Sequence, residues 1–252
     1  MSKKLRFISV VASSPLFASV MIPISNYMIR HEDKFTDEQR YEWAMKMVRH
    51  MAKRAKTKTI TYGRENLPSD GGYILFSNHQ GKYDALGIMI SHIKPLAMLW
   101  EEKSADRPMA RQVRDLAKGK TIRLDDYREQ IHVLNDIAKE VTVGKRYLIF
   151  PEGGYKDNRN FLQEFKSGCF MAAIKSKQPV VPVAIYDSWR SMDTARPGRV
   201  TTQVHYLKPI LYDEYAGMKK KDLCDLVKER IEEKMQELRD KDPRMKGVHL
   251  GI

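Results

Sequence analysis

Two short stretches of this chain carry acid–base side chains at the ends of apolar runs. The first is Ser77-Asn78-His79-Gln80-Gly81-Lys82-Tyr83-Asp84. It follows Tyr73-Ile74-Leu75-Phe76 and precedes Ala85-Leu86-Gly87-Ile88-Met89-Ile90, so it reads as a turn from a strand into a helix. His79 then has a carboxylate five residues on, in the first turn of that helix. Asp84 can hold one imidazole nitrogen while the other faces a substrate proton, which is the arrangement of a general base and its orienting partner. Taken alone, such a pair is more often a polar loop histidine and an acid favouring a helix N-terminus.

The second stretch is Tyr147-Leu148-Ile149-Phe150-Pro151-Glu152-Gly153-Gly154. An apolar strand ends at Pro151, and two glycines let the backbone pass close to a ligand. Glu152 sits at the strand end, with Lys156 and Arg159 following in a cationic loop suited to a phosphate. The plain alternative is a surface turn punctuated by Pro and Gly with a solvated Glu.

These stretches need a scaffold, and 252 residues suffice for one domain with an appendage. Hydrophobic content of 42% is ordinary and excludes a disordered tail or a polytopic membrane protein. A net charge of +13 points to an anionic partner: a phospholipid surface, nucleic acid or an acidic carrier. Cys169 and Cys224 have no metal-ligand spacing, and a reduced setting fits them better than a disulfide scaffold.

From residue 57 strands and helices alternate. Strand-like runs are Thr59–Tyr62, Tyr73–Phe76, Leu96–Leu99, Arg146–Phe150, Val180–Ile185 and Val200–Tyr206. Helix-like runs lie at 84–92, 106–117, 126–143, 165–176 and 219–240, the last with an apolar stripe of Leu223, Val227, Ile231, Met235 and Leu238. The pattern predicts an α/β fold with a largely parallel central sheet flanked by helices, its functional loops at the carboxyl ends of strands. The tail Asp240–Ile252 reads as a loose end.

Residues 1–56 read as an N-terminal membrane-associating helical segment preceding an α/β domain of residues 57–252. Lys3, Lys4 and Arg6 precede an apolar run from Phe7 to about Ile24, interrupted by Ser13, Ser14, Pro15, Ser19 and Pro23. Its borderline length and the positive charge on both flanks favour a re-entrant or surface-lying anchor on the cytoplasmic face over a single span. An amphipathic helix follows over 36–56, with Thr36 as N-cap and an apolar stripe of Ala44, Met47, Val48, Met51 and Ala55. The cations Lys46, Arg49, Lys53, Arg54, Lys56, Lys58 and Arg64 suit anionic lipid. No nucleic acid is expected, since zinc-finger spacing and aromatic-rich binding motifs are lacking.

Several blocks, taken in order, resemble the glycerolipid acyltransferase family, and within it the 1-acyl-glycerol-3-phosphate (lysophosphatidate) acyltransferases. They are Gly63-Arg64-Glu65-Asn66-Leu67-Pro68, then Asn78-His79 with Asp84, then Phe150-Pro151-Glu152-Gly153 some 70 residues later, then Phe165-Lys166-Ser167-Gly168, and finally Val180-Val181-Pro182-Val183. The resemblance covers about residues 58–210. It implies that His79 deprotonates an acceptor hydroxyl that attacks an acyl thioester, and that Asp84 orients the imidazole. It also implies that Asn78 and Gly81 shape the turn, and that Asn78, Glu152 and Gly153 belong to the substrate-binding set. The donor would be acyl-CoA or an acyl-carrier protein, the acceptor a lysophospholipid, and the partner surface a lipid membrane. No metal or cofactor is implied, because a thioester is already activated and a base with positioning suffices.

Two departures bear on the acceptor. The family's Glu-Gly block usually continues Thr-Arg or Ser-Arg, where this chain has Gly154-Tyr155-Lys156, leaving Lys156 or Arg159 to meet a phosphate. An intermediate block usually ends in arginine where this chain has Asp125, leaving Arg123 or Arg128 for that role. An acyltransferase acting on another lysolipid or an aminolipid therefore stands beside lysophosphatidate. A non-catalytic basic membrane- or nucleic-acid-binding protein accounts for the charge but leaves the strand-end motifs as coincidence.

Overall fold

The strand at the heart of the molecule is buried along its whole length. Strand β2 (Tyr73–Ser77) has no exposed residue, as expected for a parallel strand covered on both faces. The computed structural model describes residues 10, 13–107, 109–194 and 198–246. Around β2 a seven-stranded sheet forms in the order β1-β7-β6-β2-β5-β3-β4. The others are β1 (Thr57–Tyr62), β3 (Ala97–Glu101), β4 (Lys120–Ile122), β5 (Arg146–Ile149), β6 (Val180–Tyr186) and β7 (Val200–Tyr206). Strands β4, β3, β5, β2 and β6 are mutually parallel, whereas β7 runs antiparallel to β6 and β1 runs parallel to β7. The pattern predicts six of these strands; β4 is only three residues long, too short for an alternation to show.

Period-two alternation sends side chains to two cores. Tyr73, Leu75, Met98, Leu148, Val181 and Val183 face one cluster, shared with α1 (Pro15–Arg30), α2 (Asp37–Arg54), α3 (Asp84–Ser91) and α4 (Ala110–Leu116). Ile74, Phe76, Tyr147, Ile149, Val180 and Ala184 face the other, against α5 (Tyr127–Thr142), α6 (Met171–Ser176) and α8 (Lys220–Lys241), which follows the short α7 (Trp189–Met192). The result is a helix–sheet–helix sandwich with both faces of the sheet covered. The predicted stripe of Leu223, Val227, Ile231 and Met235 lies in that second core, while Leu238 packs at its margin.

The N-terminal region differs from expectation in how its apolar side chains are used. Thr36 caps α2, its hydroxyl accepting from Gln39 N at 3.2 Å while Gln39 Oε1 accepts from Thr36 N at 2.9 Å. The expected stripe of α2 is turned into the domain: Ala44, Met47 and Val48 are essentially inaccessible, so this face is core and not a lipid-lying surface. The outward apolar row belongs instead to α1, at Leu16, Val20, Ile24 and Tyr27. Among the described residues no helix is long and apolar enough to cross a membrane. Lys3, Lys4, Arg6 and Phe7 lie outside the described residues.

The expected loose tail is pinned through Asp242 and Arg244. Tyr186 Oη donates to Asp242 at 2.9 Å, and Arg244 pairs with Asp187 at the end of β6 at 2.5 Å. Residues 247–252 lie outside the described residues.

Candidate active site

The turn after β2 delivers His79 against the N-terminus of α3. Its Nδ1 lies 2.6 Å from Asp84 Oδ2, and the same oxygen accepts from Gln80 N and, at 2.9 Å, from Gly81 N. An oxygen that accepts backbone N–H groups is a carboxylate acceptor, so the imidazole donates through Nδ1–H. Nε2 is left with a free lone pair and has no hydrogen-bond partner among the described residues. Asp84 is wholly buried at the first turn of α3, where the helix dipole favours its negative charge. The His79 side chain keeps 18% of its surface, enough for a substrate proton to reach it.

Asn78 and Gln80 fix the turn from beneath. Asn78 is fully buried, its Oδ1 accepting from Ile185 N at 2.8 Å and its Nδ2 donating to Ile185 O at 3.1 Å, so the side chain pairs with β6 as an extra strand residue would. That arrangement shapes the turn as expected and leaves Asn78 no surface for the substrate role in which the resemblance also casts it. Gln80 donates to Ile185 O at 2.8 Å and Asn160 Oδ1 at 3.1 Å, and its Oε1 accepts from Ser188 N at 3.0 Å. Gly81 is closely packed: a Cβ there would lie 2.5 Å from Asp193 Oδ2 and 3.2 Å from Trp189 Cα.

The turn after β5 meets the first from the neighbouring strand. Glu152 is 6% exposed, and its Oε1 accepts from His79 N at 3.0 Å while its Oε2 accepts from Gln163 Nε2. Both carboxylate oxygens thus brace the histidine turn, a different use from the substrate contact the resemblance implies. Burial pushes the Glu152 carboxyl up to about 7, against the lowering pull of Gln163 and the His79 N–H. Asn158 adds a second strut, its Nδ2 donating to His79 O at 3.0 Å.

Aromatic rings hold the imidazole on two sides. Phe150 stacks on it with centroids 4.2 Å apart, and Tyr155 meets it edge-on at 4.7 Å. Tyr155, which stands where the family usually has the arginine, therefore walls the histidine. Beside it, the Lys82 ammonium lies 5.6 Å from the Tyr155 ring centre and pairs with Asp193. Burial acts to lower the Lys82 pKa, but the contact with Asp193 outweighs it and leaves it raised.

The cations proposed from sequence are unequally placed. Gly153 and Gly154 adopt φ of +68° and +142°, backbone that glycine supplies without strain, and they turn the loop sharply after Glu152. Lys156 is exposed in that loop. Arg159 lies over the Trp189 ring at 5.3 Å. Arg123 is bound by Asp126 at 2.8 Å and by Glu129, and it follows the edge strand β4. That strand is three places from β2, roughly 14 Å at the usual strand spacing. Arg128 is exposed on the first turn of α5. Neither arginine is brought to the His79 turn.

Lys166, which in sequence stands only as a member of the Phe165-Lys166-Ser167-Gly168 block, reaches the Glu152 turn. Lys166 extends along Gly153, so that a Cβ there would stand 2.7 Å from its Nζ and 3.1 Å from its Cε. Its backbone N donates to Pro151 O at 2.8 Å, and the ammonium has no acidic partner among the described residues. The Phe165-Lys166-Ser167-Gly168 block was the available signal. For Asp193 and Gln163 nothing local in the sequence marked a role.

The Gly63–Pro68 block that opens the resemblance is structural. Gly63 (φ +69°) brings β1 against the end of β7, where a Cβ would collide with the Tyr206 carbonyl, and Asn66 Nδ2 donates to that carbonyl at 2.8 Å. Because β1 runs opposite to β2, this junction lies at the edge of the sheet away from His79.

Residues 58–186 match the family model described as Acyltransferase. Among curated proteins, the chain is 28% identical over 158 residues to 1-acyl-sn-glycerol-3-phosphate acyltransferase alpha of Ovis aries, covering 59% of this chain and 52% of that protein. It is 29% identical over 180 residues to a chloroplastic 1-acyl-sn-glycerol-3-phosphate acyltransferase of Brassica napus, covering 71% and 51%. The chain thus spans about half the length of these curated relatives. Among solved structures, the 1-acyl-sn-glycerophosphate (LPA) acyltransferase of Thermotoga maritima superposes with a TM-score of 0.74 over 95% of this chain and 99% of that one. At 18% identity that likeness speaks to the fold.

Proposed function

The chain belongs to the Acyltransferase family, and from that premise we propose that it moves a fatty acyl group from a thioester to the free hydroxyl of 1-acyl-glycerol-3-phosphate, forming phosphatidate. The observation that carries this reading is the His79–Asp84 pair, with Nδ1 donating at 2.6 Å to a carboxylate and Nε2 left free. His79 Nε2 takes the proton of the acceptor hydroxyl as its oxygen attacks the thioester carbonyl. The tetrahedral intermediate then collapses, the C–S bond breaks, and the imidazolium returns the proton to the departing thiolate. Asp84 stabilises the imidazolium between these steps without accepting its proton, since its Oδ2 is already committed to Gln80 N and Gly81 N.

The acceptor phosphate is met by Lys166 with Lys156 beside it, across the open Gly153-Gly154 turn. This assignment rests on the position of Lys166 along Gly153, with the Arg159 guanidinium engaged over Trp189 and Arg123 held by Asp126 and Glu129 beyond the edge strand. The thioester belongs to CoA or an acyl-carrier protein. Membrane association is supported by the outward row Leu16, Val20, Ile24 and Tyr27, spaced to follow one face of α1, with the cations Arg30 and Lys34 beyond it. A helix lying in the interface in this way would bring the domain to its lipid substrate on the cytoplasmic face.

The test is transfer from radiolabelled acyl-CoA to a panel of lysolipids by the purified chain in vesicles. Phosphatidate formed from lysophosphatidate, and abolished in His79→Ala with the fold intact, supports the reading. Turnover confined to acceptors without a phosphate overturns the acceptor assignment, and unchanged turnover in His79→Ala overturns the base.

A further inference from the structure

The two reversed strands create a second cationic feature on the catalytic side of the molecule. Since β1 and β7 run opposite to β2 and β6, their first residues share the sheet edge that carries His79. Between them and the end of α2 lies an open cleft of about 440 Å³, lined by Lys53, Lys56, Thr57, Gly198 and Arg199. Three of these five are cations and none is an acid. Lys53, Lys56 and Arg199 have no acidic partner among the described residues.

The backbone holds this cluster together. Lys56, in the left-handed conformation at φ +53°, donates through N to Lys53 O at 3.0 Å and accepts at O from Val200 N at 3.1 Å. The cleft is also tied to the histidine turn. Thr57 Oγ1 lies 2.7 Å from Ser191 Oγ, two residues before the Asp193 that holds Lys82. Thr59 Oγ1 lies 3.0 Å from Tyr83 Oη, beside Asp84.

We propose that this cleft binds the phosphates of the acyl-CoA donor, the thioester reaching His79 along the extended pantetheine arm. The proposal rests on the thioester-dependent reading above and adds to it the donor and its site. Unpaired cations fixed near one another repel, and a multiply charged anion is the ligand that relieves them. Strand spacing and rise place the cleft on the order of 20 Å from His79. The acceptor's phosphate is a few bonds from its reacting hydroxyl and cannot span that gap. The phosphates of CoA are separated from its thioester by the length of pantetheine and can.

The test titrates CoA, and in parallel 3′-dephospho-CoA, into the full chain and into a Lys53→Ala, Lys56→Asn, Arg199→Ala variant. Asparagine at 56 tolerates the left-handed backbone. The expected result is a Kd for CoA raised roughly tenfold, the size of three exposed charge–phosphate contacts, with melting temperature unchanged. In turnover the variant should raise KM for acyl-CoA and leave KM for the lysolipid in place. Equal CoA affinity in the two proteins overturns the proposal. So does a variant that loses only its binding to anionic phosphatidylglycerol vesicles, which would assign the cleft to lipid headgroups. CoA binding that persists in His79→Ala, and is lost in the triple variant, supports the donor site even if lysophosphatidate proves the wrong acceptor.

Discussion

The turn after β2 and the turn after β5 lie side by side, yet they are built on opposite principles. In the first, Asn78, Gln80, Gly81 and Asp84 make buried hydrogen bonds to one another, to β6, to Asn160 and to Ser188. In the second, two glycines with positive φ hold an open bend, and exposed lysines stand around it. Glu152 and Asn158 turn inward, and both brace the first turn, at His79 N and His79 O. A proton transfer needs an imidazole fixed within tenths of an ångström, whereas a phosphate carried on a flexible lipid needs charge and room. On the proposed function, the contrast assigns the chemistry to the first turn and the choice of acceptor to the second.

If that separation holds, damage to the first turn should appear in turnover. His79→Ala removes the base, and kcat should fall about 10²- to 10⁴-fold, the range for a positioned general base. Asp84→Asn should cost a comparable factor and some stability as well, because its amide oxygen can take the Oδ2 position but brings no charge to the imidazolium and leaves the NH2 buried where Oδ1 has no partner. A loss confined to KM in either variant would break the comparison.

Damage to the second turn should appear in acceptor affinity. Lys166→Ala is expected to raise KM for lysophosphatidate about tenfold while leaving neutral lysolipids within about twofold, as for one charge-assisted contact. Arg159→Ala, with its guanidinium over Trp189, should change KM for phosphate-bearing acceptors less than Lys166→Ala does. Equal effects of the two substitutions would return the phosphate to the loop cations named from sequence.

The two turns were also unequally legible in the sequence. His79 and Asp84 are five residues apart on a strand-to-helix turn, so local periodicity was enough to pair them. The sheet and its helices were legible for the same reason: alternation and helical stripes are local signals. Glu152 and His79 are 73 residues apart, and their hydrogen bond exists only because β5 pairs with β2. Asp193 reaches Lys82 across 111 residues, and no spacing rule announces that contact. The α2 stripe misled for another reason: an amphipathic helix has the same pattern whether its apolar face meets lipid or protein. Only the fold shows that Met47 and Val48 are core while Leu16 and Val20 are exposed.

A subtler way to sharpen the contrast is to stiffen the open turn. Gly153→Ala forces a side chain into a left-handed backbone and against the Lys166 ammonium, a flexible neighbour that can shift. The expected cost is about 1 kcal/mol in stability by denaturant unfolding, with a smaller rise in acceptor KM than Lys166→Ala gives. A collapse of kcat instead would mean that the second turn is part of the chemical apparatus.

The smallest effect concerns the joint between the turns, and pH is the probe. Because the folded Glu152 carboxyl is raised to about 7 from 4.5, its contribution to stability is fully present below 4.5 and lost as pH rises through about 7. His92 behaves oppositely: buried between Tyr73 Oη and Lys94 O, it is lowered to about 4 from 6.5, and its contribution is lost as pH falls through that window. Denaturant unfolding from pH 4.5 to 7.5 should therefore show wild type losing stability relative to Glu152→Gln as pH rises; parallel curves would refute the assignment. Near neutrality the brace is then partly protonated. A proton on Oε2 would face the Gln163 amide donor, and the amide would have to turn over to accept it. Its Oε1, which now accepts from Lys156 N at 3.2 Å, would leave that backbone group free. Protonation of Glu152 should thus loosen the lysine loop while the carboxyl still accepts from His79 N through Oε1, so acceptor KM should respond to pH near 7 in wild type more than in Glu152→Gln.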